Sequence, residues 1–314
     1  MQYIRNQILP IDSADDILKS TRSAAASPIL SKEPKDIMSA GIPHLPRMQS
    51  FFVLFLIVLT CGLCSCRSVP VTGRSQFLLT TESYENSLGA ESYEEYKQEY
   101  PKSTNAEYNA ALERCGNAIK AVANEVGDAE DFEWEFTVLD SEIQNAFCLP
   151  GGKVAVYSGI MDYMDNEAEL AFVVGHEIGH AIARHGGERM SRSILQSLGA
   201  VLVSAMFDNE TIDAIYGTGT EIGIMLPYSR SNESEADAIG LVLMARAGYD
   251  PSASYTFWKR FTNNAEGSSK LESILSTHPC DSDRIAAMQA GEAEARIEYN
   301  KAKTKYGFGK KFSH

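Results

Sequence analysis

The sequence predicts an α+β domain that is predominantly helical, and three observations carry this. Residues 82–100, 105–124, the stretch from Asn166 through His180, and 231–247 read as helices from their apolar spacing or their end signals, whereas 132–157 switches to the alternation of short strands. No internal repeat recurs at solenoid periods. The chain of 314 residues is 44% hydrophobic and 22% charged, which suffices for a packed core. Its formal net charge of −14 argues against a nucleic-acid partner, because affinity for phosphate backbones comes from basic groups that displace counterions.

Taking the elements in order, residues 51–64 (FFVLFLIVLTCGLC) form one apolar run, shorter than the roughly 20 residues that span a bilayer. The run fits the core of a signal peptide. It ends in Leu63-Cys64-Ser65-Cys66, which resembles a bacterial lipobox, so Cys66 is the expected lipidation site and mature N-terminus. An uncleaved membrane anchor is the alternative. Residues 1–47 match no part of an export signal and are read as a disordered upstream segment, with translation beginning at Met48 or Met38. Residues 48–65 are then the signal peptide, 66–80 a tether without periodicity, and 81–314 the folded domain.

Within that domain, Leu88, Tyr93, Tyr96 and Tyr100 mark a helix closed by Pro101, and Tyr108, Leu112, Cys115, Ile119 and Val122 mark the next, with Cys115 a buried thiol. Phe132, Trp134 and Phe136 alternate with Glu133 and Glu135, and Lys153 to Tyr157 is a second strand-like run after Pro150-Gly151-Gly152. Asn166 can cap a helix with Glu169 at its third position, and Leu170, Ala171, Val173 and Val174 lead into His176. Another helix runs from about Ser231 to Ala247, closed by Gly248 with Pro251 beyond. Residues 204–228 are long enough to cover a cleft, as a mobile lid or as a plain connection. Cys148 and Cys280 can pair in an oxidising compartment, though nothing in the sequence establishes that they do.

The segment that carries chemistry is His176-Glu177-Ile178-Gly179-His180. On a helix, positions four apart share a face, so both imidazoles can reach one ion while Glu177 places its carboxylate beside a metal-activated water. Ala183 and Gly186 stand where the metzincin pattern needs Gly and His, and His185 is read as a helix-surface residue. Downstream, Glu233 and Asp237 share a face of the 231–247 helix. Glu233 can be the third ligand and Asp237 can accept the ring N–H of a ligand histidine, while Glu235 points elsewhere. The bland reading of this acidic run is the solvated start of a helix. The ligand reading gives a site of two histidines and one glutamate with an open position.

Together these residues resemble the gluzincin zinc metallopeptidases, the family that includes HtpX, the CAAX prenyl proteases, LoiP and BepA. The resemblance runs from Val69 to Arg284 through PVTGR, NAFCLPGG, AVYSG, HEIGHAIARH, LPYSRSNESEAD and STHPCDSDRI. It implies a gluzincin core and one Zn2+ per chain held by His176, His180 and Glu233, with Glu177 as general base and Asp237 behind a ligand. His278 then either supports the tetrahedral intermediate or occupies the open metal position at rest. The resemblance also implies an edge strand around Lys153 to Ser158, where Val154, Ala155 and Val156 would pair with an extended substrate. Arg230 or His278 is a candidate second donor to the oxyanion. The expected function is a zinc metalloendopeptidase acting on unfolded or misfolded envelope proteins. The expected location is the short lipoprotein branch with LoiP, lipid-anchored in the outer membrane and facing the periplasm. The competing reading is a non-catalytic, zinc-stabilised lipoprotein that binds or assembles envelope proteins.

Overall fold

A computed structural model of the chain describes residues 66–207, 228–265 and 277–313. The upstream segment, the signal peptide and most of the expected lid lie outside the described residues. Where the sequence suggests a tether, the structure has a hairpin: β1 (Cys66–Ser68) pairs antiparallel with β2 (Ser75–Phe77). Val69 and Gln76 are buried there, and the Ser191 hydroxyl accepts from the Leu79 N–H at 2.7 Å. Strands of three residues are too short to show a period, which is why 66–80 looked structureless.

Two helices follow as expected, α1 (Glu82–Glu99) capped by Thr81 and α2 (Ala106–Ala123) capped by Asn105. The stripe Tyr108, Leu112, Cys115 and Ile119 enters the main core, and the Cys115 thiol is fully buried. Tyr93 is also fully buried and donates its hydroxyl to the Val154 carbonyl at 2.8 Å.

The sheet holds β3 (Glu135–Leu139), β4 (Ala146–Leu149) and β5 (Lys153–Tyr157) in the order β3-β5-β4, with β3 parallel and β4 antiparallel to β5. Gly151 and Gly152 turn the β4–β5 connection at φ of 84° and 80°, a region that glycine enters without steric penalty. This order corrects the expectation for Val154, Ala155 and Val156. They lie on the central strand, paired on both sides and fully buried, so no substrate can add there. Among the described residues the strand with an unpaired edge on the other flank of β5 is β4. The Tyr157 N–H to Asn145 carbonyl bond (3.1 Å) fixes which pairs are hydrogen-bonded, and leaves the backbone groups of Ala146 and Cys148 facing outward.

After the short α3 (Ser158–Met161) comes α4 (Glu167–Ile182), every residue of which is buried. A helix buried on every face lies in the middle of a domain, and its charged residues, Glu167, Glu169, His176, Glu177 and His180, then need partners inside it. Its first N–H groups are satisfied by the Asn166 side chain and by the carbonyls of Phe308 and Lys310 from the C-terminal tail. Then follow α5 (His185–Phe207), α6 (Arg230–Arg246, capped by Ser229), α7 (Ala253–Ala265) and α8 (Ser282–Lys301). Helices α4 and α6 touch through small residues: a Cβ added to Gly240 would lie 2.7 Å from the His176 nitrogen. That close approach brings the first turns of α6 over the C-terminal half of α4, where His176 and His180 stand. No helix among the described residues is long and apolar enough to cross a membrane.

Candidate metal centre

His176 and His180 stand one turn apart on α4, Glu233 comes down from the first turn of α6, and His278 arrives from the segment before α8. One donor atom of each lies within 4.8 Å of the others, and all four residues are buried. His176 Nε2 is 3.1 Å from His180 Nε2, 3.4 Å from His278 Nδ1 and 3.5 Å from Glu233 Oε2. Glu233 Oε1 is 3.4 Å from His180 Nε2 and 3.2 Å from His278 Nδ1. Tetrahedral zinc with donors at about 2.0–2.1 Å keeps them about 3.3–3.4 Å apart. Three imidazoles and a carboxylate at that spacing fit such an ion. Glu177 does not join the set; its Oε1 lies 3.6 Å from the other ring nitrogen of His278. Burial raises the Glu177 carboxyl above the usual range, against the pull of the His278 and His176 rings.

Each α4 histidine is held from behind. His176 Nδ1 meets Asp237 Oδ1 at 3.0 Å, as the helix spacing predicted. Asp237 takes two bonds of 2.7 Å from Arg284, whose third nitrogen pairs with Glu233 at 2.8 Å. Burial alone would raise both carboxyls, but Arg284 and His176 hold Asp237 low, and the His176, His180 and His278 rings hold Glu233 low. On the other side, His180 Nδ1 is 2.9 Å from His185 Nδ1, and His185 Nε2 is 3.2 Å from Glu235 Oε2. His185 is fully buried, not on the surface. The chain reverses at Arg184, which adopts φ 54°, so a new helix begins and swings the ring back against His180. The other face of His180 is covered by the Tyr228 ring at 3.9 Å, with the Arg189 guanidinium 3.9 Å over that ring in turn.

Arg230 is a second correction. Its side chain is 81% exposed and pairs with Asp281 at 3.1 Å, away from the donor set. The cation that faces both Glu233 and Asp237 is Arg284, 3% exposed, to which no spacing or motif in the sequence assigns a role. Its only signal was charge balance: Glu177, Glu233 and Asp237 need a base nearby. Cys148 and Cys280 are free thiols. Cys148 and Leu149 of β4 line a pocket of about 70 Å³ together with His180, Met190 and Tyr228, so the free sheet edge borders the centre.

A helix-borne HExxH pair completed by a glutamate from a second helix defines a gluzincin-type metallopeptidase. Residues 109–292 match the model of Peptidase family M48, and the chain belongs to that family. It is 33% identical over 231 residues to the mitochondrial metalloendopeptidase OMA1 of Schizosaccharomyces pombe, covering 73% of this chain and 67% of the relative. It is 32% identical over 252 residues to the human metalloendopeptidase OMA1, covering 76% of this chain and 47% of the relative. It is 36% identical over 162 residues to the beta-barrel assembly-enhancing protease of Escherichia coli, covering 49% and 33%. The chain thus spans about half the human relative's length and a third of the bacterial one's.

Proposed function

We propose that the chain is a zinc-dependent metalloendopeptidase that cuts unfolded or misfolded polypeptides in the bacterial envelope. The observation that carries this reading is the convergence of His176, His180, Glu233 and His278 on one buried point with Glu177 beside it. Bound there, zinc supplies a Lewis acid that acidifies water and polarises a peptide carbonyl. Glu177 takes the proton from the attacking water and passes it to the leaving amine, a role that its raised pKa suits. His278 completes the donor set at rest as a latch, and would have to leave it to open a position for water. The outward backbone groups of Ala146 and Cys148 on β4 pair with an extended substrate, which explains a preference for unfolded segments.

Glu177→Gln is expected to retain zinc and to lose cleavage of casein by at least about 100-fold. Undiminished turnover in that variant rejects the assignment. The position of His278 also favours a second reading, because four protein ligands are the mark of a structural zinc site. His278→Ala separates the two: a latch predicts retained zinc and faster cleavage, whereas a structural ligand predicts an unfolded domain and no cleavage under any condition. Lipidation at Cys66 belongs to this proposal, supported by the lipobox-like sequence Leu63-Cys64-Ser65-Cys66. Cys66→Ser should abolish lipid labelling and release the chain from membranes; persistence of both favours the uncleaved anchor.

A further inference from the structure

The β1–β2 loop has a backbone conformation that needs an explanation. Val71 adopts φ 67°, a region that β-branched residues avoid, and it is 54% exposed, so its own burial does little to offset the strain. Its neighbours supply the reason. The Thr72 hydroxyl donates to Glu235, and Arg74 donates from Nε to Glu235 at 2.7 Å and from its two terminal nitrogens to Glu188 at 3.1 and 2.8 Å. Backbone bonds from Val69 N–H to the Arg74 carbonyl (2.8 Å) and from Gly73 N–H to the Val69 carbonyl (2.9 Å) close the loop and aim both side chains at one spot.

That spot is the far end of the chain of groups behind His180. For His180 Nε2 to present a lone pair to the donor set, its proton must sit on Nδ1, where His185 Nδ1 accepts it. His185 then carries its own proton on Nε2 and donates it to Glu235. Glu235 can hold that ring only from a fixed place, and Thr72 and Arg74 fix it. Glu188, kept in turn by Asn232 at 3.2 Å, anchors Arg74 to both α5 and α6.

We propose that the β1–β2 loop is a positioning element for the metal centre, in which Thr72 and Arg74, acting through Glu235 and His185, set the ring orientation and tautomer of His180. The inference rests on the zinc reading above. It gives the strained loop a function, and it links the segment next to Cys66 to a metal ligand.

The test measures the zinc dissociation constant of the full chain by competition with a chromophoric chelator, and the melting temperature with and without zinc. Residues behind metal ligands change metal affinity by about 10- to 100-fold, so His185→Gln should fall in that range. Arg74→Ala and the near-isosteric Thr72→Val should each weaken zinc by about 3-fold or more, at or below the low end of that range. Both should shrink the rise in melting temperature that zinc produces, because that rise follows affinity. Arg74→Lys should recover only part of the loss, since one ammonium cannot bridge two carboxylates as the guanidinium fork does. Lys301→Ala, which removes a surface pair to Glu298 and touches none of these groups, is the control and should leave zinc affinity unchanged. If Arg74→Ala and Thr72→Val lower the melting temperature of the zinc-free chain but bind zinc like the wild type, the loop is only structural and the proposal fails. A wild-type chain that binds no zinc overturns the functional reading itself, a different outcome.

Discussion

The two histidines of α4 sit one turn apart and face the same point, yet the structure supports them by opposite means. His176 leans on Asp237 and Arg284, both in the interior and both on helices that pack directly against one another. His180 leans on a longer series, His185 and Glu235 and then Thr72 and Arg74 at the surface, from a hairpin more than 100 residues upstream. One support is made by the same close contact of helices that creates the site. The other depends on a peripheral loop being docked, so the two ligands should respond differently to damage.

The sharpest way to break this contrast is at Arg284. Replacing it by Met leaves Glu233 and Asp237 buried without their cation, an error that typically costs about 3–5 kcal/mol. The loss should be largest in chelator-treated protein and smaller with zinc bound, because the ion neutralises the same carboxylates. Urea denaturation with and without zinc checks this; equal losses would show that arginine and ion do not share that task. Next come the carboxylates themselves. Asp237→Asn and Glu235→Gln should each weaken zinc by about 10- to 100-fold, with Asp237→Asn the larger because it touches a ligand directly while Glu235 acts through His185. A reversed order would mean the peripheral support dominates.

A smaller effect appears in acid. Burial would raise Glu235, but His185, Thr72 and Arg74 outweigh it and hold it at about 2; Asp237 is lowered in the same sense by Arg284 and His176. A carboxyl depressed in the folded state contributes stability above its unfolded value near 4, and that stability disappears as pH falls through the folded value. The melting temperature of zinc-free protein should therefore drop as pH falls from about 4 toward 2. The drop should be shallower in Glu235→Gln, which no longer has that proton to gain.

What could be read from the sequence follows the same division. The pairing of His176 with His180 was legible because helical spacing puts them on one face, Glu233 and Asp237 share a face in the same way but gained a role only beside that pair, and Asn166 was legible as a cap for a local reason. The supports that come from elsewhere were not. His185 looked exposed because a reversal at Arg184 cannot be anticipated from a helical pattern, and the hairpin looked like a tether because its strands are three residues long. Strand order is likewise a tertiary fact. Nothing in Lys153 to Tyr157 says that it lies between two neighbours, so the edge implied by the resemblance fell on β5, which the structure puts at the centre of the sheet.

The finest test concerns Val71, where the two supports can be told apart without removing any hydrogen bond. Glycine at this position should relieve about 1–2 kcal/mol of backbone strain, while the freer unfolded chain takes back about 0.4–1 kcal/mol. The melting temperature of Val71→Gly should therefore stay level or rise slightly. If Thr72 and Arg74 hold the loop in place, zinc affinity should remain within about 2-fold of the wild type, well short of the 10- to 100-fold losses expected at Asp237 and Glu235. A marked loss of zinc with no loss of stability would mean that a stiff left-handed residue, and not the two bonds to Glu235, keeps the loop aimed at the His180 support. The hairpin would still position the metal, but through backbone restriction, and the weakness of Arg74→Ala would then be the first sign of it.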